Sequence, residues 1–261
     1  MRHINVIGIG TGDPAHVTNQ AVAAIADTDV FLVVDKGDGA NDLEAVRRQI
    51  LEQHRPDGGY RWVGIAEVER DREPGDYLAE LRRWHEQRAD RFEAAVRDEL
   101  AEGEVGAVLV WGDPSLYDST LRILDDVAAR GTVAFTRTVV PGVTSIAALA
   151  AAHQIPLHRV GESILITTGR RLVADGGWPD NIANAIVMLD GDCSFRHLVG
   201  RPDAAGVEIW WGAYVGGPHQ VLVAGELAEV SDEIQRVRSQ AKVDHGWIMD
   251  IYLLRRAAAS P

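Results

Sequence analysis

Cysteine is almost absent from this chain: Cys193 is the only one in 261 residues. That excludes an internal disulfide framework and leaves no cysteine cluster for zinc. No apolar run approaches the roughly 20 residues needed to cross a bilayer. The opening "MRHINVIGIG" enters strand-like sequence directly, with no signal-peptide cleavage site behind it. Positive charge is scarce as well. Lysine and arginine number 26 against 39 acidic residues, for a formal net charge of -13. The longest basic pieces are pairs: Arg47-Arg48, Arg82-Arg83, Arg170-Arg171 and Arg255-Arg256. So acidic a surface repels nucleic-acid phosphates and anionic lipid. These absences lead us to expect a cytoplasmic protein that binds neither nucleic acid nor membrane. Short-period repeats and low-complexity tracts are also missing.

What is present is an alternation of apolar runs and helical periods in a globular balance, 46% hydrophobic and 25% charged. "HINVIGI" and "DVFLVV" read as short buried strands. Val17, Ala21 and Ile25 mark a helix between them; Leu43, Val46 and Ile50 mark the next. A long helix over about 76–102 carries Leu81, Trp84, Arg88, Phe92, Val96 and Leu100 at steps of three and four, with Gly103 as its stop. "VGAVLVW" is a strand, a helix follows through Leu121 and Leu124, and "TVAFTRTVV" is the next strand. After "PGVTS", where Thr144 or Ser145 can cap another helix, the character changes. "ESILITTGRR", "AIVMLDG", "VEIWWGAYVG", "HQVLVAGEL" and "GWIMDIYLLRR" are five strand candidates, with helices expected only near 178–184 and 231–240. The fold class expected is α/β in two domains, 1–137 and 143–261, joined by a linker at 137–143.

One tripeptide occurs twice. Gly-Asp-Pro stands at 12–14, in "VIGIGTGDP", and again at 112–114, in "VWGDPSLYDST", each time behind a buried strand. Gly8, Gly10 and Gly12 allow a sharp turn and close approach of a ligand, because glycine has no Cβ. A dinucleotide fingerprint is one reading, with Asp35 ending the second strand where a ribose-binding acid would sit. Against it, Asp13 would repel a pyrophosphate and Pro14 removes a donor. A purely structural glycine turn is another reading. For the second copy, Asp113 as a helix cap is the plain alternative to a ligand-binding turn at a strand's carboxyl end.

Taken in order, "VIGIGTGDP", "WGDPSLYDST" and "PGVTS" resemble the three motifs of the tetrapyrrole methyltransferases, and the resemblance covers the whole chain. Within that family, "VFLVVDKG", "WGDPSLYDSTLRIL", "ITTGRR", "VMLDG" and "HGWIMDIYLLRR" are similar to the deacetylating branch that methylates C-1 of a precorrin in aerobic cobalamin biosynthesis. The resemblance implies two α/β domains with S-adenosyl-L-methionine in a cleft between them and a tetrapyrrole as substrate. It implies cofactor contacts at Pro14, Trp111, Gly112, Asp113, Leu116, Thr144, Ser145, Leu189 and Ala213. It also implies a homodimer, for which "IWWGAY" is a candidate surface; Trp210-Trp211 read as packing in the core or at that interface. Another precorrin or uroporphyrinogen methyltransferase, or a nucleotide-cofactor oxidoreductase, are the alternative functions.

Methyl transfer to an electron-rich macrocycle demands alignment in a dry site rather than a protein nucleophile. Loss of an acyl group as acetate consumes water and calls for an acid or base. Asp35, Tyr117 and Asp118 are the candidates, each with a structural alternative: a salt-bridged loop for the first, a helix's first turn for the other two. A substrate rich in carboxylates needs cations, and Arg170-Arg171, after a strand that ends in a glycine turn, is the pair expected to supply them. Arg47-Arg48 and Arg82-Arg83 read as solvated helix faces. His153, His158 and His245 lack ligand spacing, so no metal is expected. Cys193 has no activating base and reads as inert.

Overall fold

Near-continuous apolar strands belong in a parallel sheet covered on both faces. The first half of the chain, in a computed structural model that describes residues 1–35, 41–69, 71 and 75–257, builds such a sheet. It runs through β1 (Arg2–Gly8), α1 (Asn19–Ala26), β2 (Val30–Asp35), α2 (Asn41–His54), β3 (Arg61–Ala66), α3 (Tyr77–Glu99), β4 (Val105–Val110), α4 (Thr120–Arg130) and β5 (Phe135–Val140). All five strands are parallel, in the order β3-β2-β4-β1-β5. On one face Ile4, Val6, Val108 and Val110 pack with Phe92, Val96, Ile123 and Leu124. On the other, Ile7, Ile9 and Leu109 pack with Ala21, Ile25, Ile50 and Leu51. Helix ends follow local rules. Thr18 caps α1, its hydroxyl accepting from Ala21 N at 3.1 Å. Gly131 closes α4 in the left-handed region.

Two compact units divide the chain at residues 144 and 145. The second comprises α5 (Ser145–His153), β6 (Ile164–Thr168), α6 (Gly169–Ala174), β7 (Asn184–Met188), β8 (Glu208–Ala213), β9 (Val221–Glu226), α7 (Leu227–His245) and β10 (Asp250–Arg255). Its sheet has the order β6-β7-β10-β8-β9, with β6 parallel to β7 and β10 antiparallel to both neighbours. Trp211, Tyr252, Phe195, Ile209 and Leu254 are its core. Both units are α/β.

Three expectations are corrected. Residues 137–140, assigned to a linker, are the second half of β5, paired in register with β1. No helix forms at 178–184: the turn there is fixed by Trp178 Nε1 donating to Ile182 O at 2.8 Å. The helix lies earlier, in α6, because Thr168 ends its strand and accepts from Arg171 N as an N-cap. "IWWGAY" offers little surface. Strand β8 is internal to its sheet, Trp211 is fully buried, and Trp210 lies beneath the Arg255 guanidinium at 4.8 Å. Among the described residues no helix is long and apolar enough to cross a membrane.

Candidate functional site

Loops at the carboxyl ends of parallel strands are where sheets of this kind hold ligands. Three such loops of the first unit interlock. Ile9 N donates to Val110 O at 2.9 Å, Gly10 N to Gly112 O at 3.3 Å and Gly112 N to Gly10 O at 2.7 Å. A two-residue antiparallel bridge thus joins the loops that carry the two Gly-Asp-Pro turns. Gly10 and Gly112 have φ of +75° and +64°, a region glycine enters without strain. The third loop, residues 141–144, is tied to the second: Asp113 Oδ2 accepts from Gly142 N at 2.9 Å. A Cβ on Gly8 would stand 2.6 Å from Gly142 N and 2.8 Å from Gly112 O, and one on Gly142 would collide with Gly112 O. The sequence suggested ligand approach for the first-motif glycines. At Gly8 the space is taken by backbone meeting backbone.

The acids of the two turns are structural in part. Asp13 Oδ1 accepts from Ala15 N at 2.8 Å and caps a single 3-10 turn, Pro14–His16. Asp113 Oδ1 accepts from Ser115 N at 2.8 Å and from the Ser115 hydroxyl. Burial pushes the Asp113 carboxyl up, but the Ser115 and Gly142 hydrogen bonds outweigh it and hold the group below its ordinary range. The helix after the first turn starts only at Asn19. A pyrophosphate at the glycines would therefore find no helix N-terminus, which removes the physical basis of the dinucleotide reading.

Pro14, Trp111, Asp113 and Leu116 are all half-buried around these turns. Trp111 Nε1 is buried and has no hydrogen-bond partner. An unmet buried donor is costly, so this N–H fits a bound group that offers an acceptor. Tyr117 follows, 47% exposed and left-handed at φ +53°. Asp118 Oδ1 accepts from Thr120 N at 2.7 Å, at the start of α4. Asp35 ends β2, exposed, on a strand that pairs with β4 only at Val30–Gly106 and Phe31–Ala107. Lys36 and Gly37 lie outside the described residues. Thr144 and Ser145 lie where one unit ends and the other begins.

The second unit has its own edge. Thr168, Met188, Ile251 and Gly212 lie in a row across it, with Asp250 and Ala213 paired one residue further on. Leu189 comes directly after β7, 66% exposed at φ +52°. Ala213 ends β8 with its side chain in the core, and Tyr214 follows at φ +49°. Arg170 and Arg171 open α6 and are exposed; Arg171 pairs with Asp175 one turn on, at 2.7 Å.

This chain matches the family model of the tetrapyrrole (corrin/porphyrin) methylases over residues 3–231. It belongs to that family. A precorrin-6A synthase [deacetylating] from a Sinorhizobium species is 45% identical over 99% of this chain and 97% of its own. The crystal structure of a putative cobalamin synthesis related protein (CobF) from Corynebacterium diphtheriae superposes with a TM-score of 0.83 at 36% identity, covering 98% of each chain. A uroporphyrin-III C-methyl transferase from Thermus thermophilus, solved with S-adenyl homocysteine, shares the fold at a TM-score of 0.57 and 17% identity, over 97% of each chain.

As a tetrapyrrole methylase the chain has polar groups at its edges that its sequence did not single out. Arg47 is half-buried, not on a solvated face: its Nε donates to Leu109 O at 3.3 Å. Burial lowers the pKa of its guanidinium, against the opposing pull of the Asp118 and Glu44 carboxylates. Arg48 alone stays on the surface, over the Trp62 ring and paired with Glu44. His16 stands against Gly10 and shares a 3.2 Å hydrogen bond with Thr11 Oγ1. Its position two residues after a Gly-Asp-Pro turn was the available signal. In the second unit, Asp190, Ser194 and Tyr252 are buried, and the Ser194 and Tyr252 hydroxyls both donate to the Asp190 carboxylate. Cys193 beside them is kept a thiol, since burial pushes its pKa up.

Proposed function

We propose that this chain is an S-adenosylmethionine-dependent methyltransferase that places a methyl group on C-1 of a precorrin and releases acetate. The observation that carries the reading is full-length 45% identity to a deacetylating precorrin-6A synthase. The interlocked loops and the unmet Trp111 donor fit it. S-adenosylmethionine, when bound, supplies an electrophilic methyl group. Trp111, Gly112, Asp113 and Leu116 with Pro14, Thr144 and Ser145 are the contacts this reading gives the cofactor in the first unit, and Leu189 and Ala213 those in the second. Asp113 fixes the third loop and so acts on the cofactor through backbone position.

The deacetylation needs a proton carrier near the acyl group. Of Asp35, Tyr117 and Asp118, the last is already engaged with Thr120 N, whereas the Tyr117 phenol is exposed. We therefore place Tyr117 first. Arg170 and Arg171 are the cations this reading gives the substrate carboxylates. The enzyme it describes is cytoplasmic and homodimeric. Incubation with S-adenosylmethionine and a C-1-unmethylated precorrin, followed by mass analysis, tests the activity. Gain of one methyl with release of acetate is expected, and Tyr117→Phe should keep the methyl gain while slowing acetate release. Methyl gain without acetate from the unaltered chain would assign it to another methylation in the family. Binding of NADPH in place of S-adenosylhomocysteine would overturn the reading.

A further inference from the structure

Leu189 is a large apolar side chain, 66% exposed, on left-handed backbone. That conformation costs a leucine roughly 1–2 kcal/mol, and it persists only where neighbours over-determine it. Here the neighbours are buried and charged. Asp190, 5% exposed, accepts four hydrogen bonds. Its Oδ2 takes Ser194 N at 2.7 Å and the Tyr252 hydroxyl at 2.6 Å; its Oδ1 takes the Ser194 hydroxyl at 2.8 Å and Asp192 N at 3.2 Å. Arg238 of α7 donates to the Asp190 carbonyl at 3.2 Å and to Asp250 Oδ2 at 2.9 Å. Trp211 Nε1 reaches the same Asp250 oxygen at 3.1 Å. Gly169 completes the frame, since a Cβ there would collide with the Asp190 carboxylate.

The frame therefore grips the residue after Leu189 from β10, α7, α6 and the 191–194 turn. Apolar packing would bury a leucine and relax its backbone. This arrangement does the reverse, at the cost of a desolvated carboxylate. From this geometry we infer that Asp190, Ser194 and Tyr252 are positioning residues, which hold Leu189 outward as a preformed apolar contact for the adenosyl cofactor. The inference rests on the methyltransferase reading and adds to it a supporting shell of the kind that precise sites need.

Calorimetry with S-adenosylhomocysteine on the full chain tests it through a double-mutant cycle. Leu189→Gly relieves the backbone and removes the side chain, so the melting temperature should hold while affinity falls about tenfold. Tyr252→Phe should weaken binding about fivefold in the original chain, because Leu189 then samples other backbone states. In the Leu189→Gly background the same change should matter less than about twofold, since nothing remains to be positioned. If Tyr252→Phe does not fold, Ser194→Ala takes its place in the cycle. Equal losses in both backgrounds, or none in the original chain, overturn the inference while leaving the cofactor site standing. An unaltered chain that does not bind S-adenosylhomocysteine overturns the underlying reading, and this inference with it.

Discussion

At the edge of the first sheet the sharp backbone turns are made by Gly10 and Gly112, and the loops touch through Gly8 and Gly142. At the edge of the second sheet the residues in the same left-handed region are Leu189 and Tyr214. Where the loops of the first edge meet, little force is needed to hold their shape, because glycine enters that region freely and leaves room for a second backbone. Tyr117, further along the second loop, is the non-glycine exception there. The second edge is held against a conformational preference, and buried ions supply the hold: Asp190, and Asp250 with Arg238. The edge of a sheet can thus be shaped by omitting side chains or by clamping them. Each way fails differently when altered.

The largest effect should come from the clamp. Arg238→Ala leaves Asp250, whose side chain is 7% exposed, without its cation. Removing one partner of a buried pair costs about 3–5 kcal/mol, which urea unfolding of the variant would register. Burial already pushes the Asp250 carboxyl up against the pull of Arg238. A buried acid with a raised folded pKa destabilises the fold above that pKa. The deficit of Arg238→Ala should therefore shrink as pH is lowered and Asp250 takes a proton. A pH-independent deficit would mean that Arg238 matters through packing alone.

The glycine edge should break by collision. Gly142→Ala drives a Cβ into Gly112 O and should cost about 1–3 kcal/mol, with loss of S-adenosylhomocysteine binding. Gly64→Ala, in β3 with open space around it, is the control and should unfold at the same urea concentration or a slightly higher one. If both glycines tolerate alanine equally, the contrast between omitted and clamped side chains falls.

Smallest is the electrostatic tie at the first edge. Asp113 has a depressed folded pKa, so the stability it adds is complete above the unfolded value of about 4 and is lost as pH falls through the lower folded value. Asp113→Asn should lower stability modestly at pH 7 and change it little in acid, so the acid limb of the stability–pH curve below about pH 4 flattens. An unchanged acid limb would show that the loop is held by its glycines and not by this carboxylate.

These contrasts explain what the sequence made legible. Glycine and proline act locally, so the turns at 12–14 and 112–114 could be read, as could the apolar runs of β1, β2, β4, β5 and the five strands of the second sheet. Arg47 could not: its helical period matched a solvated face, and only the early end of β2–β4 pairing turns it inward. The clamp was invisible for a related reason. Asp190 and Tyr252 are 62 residues apart and meet only because β7 and β10 are neighbours. Helix α6 was hidden by Thr167 and Thr168, whose β-branched side chains extend a strand pattern up to the cap itself. The helix expected at 178–184 failed because Pro179 and the Trp178 indole make a turn of that stretch.

The unfinished ladder between β2 and β4 has a consequence for how freely this protein can vary. Val110 O is taken by Ile9 N on the β1 side, while Leu109 O receives the Arg47 guanidinium instead of a strand. Backbone rungs are indifferent to the genetic code, since almost any residue supplies the same N–H and C=O. A rung built from a side chain can be erased by a single base change. At that place the edge of the first sheet is inherited through a codon for arginine.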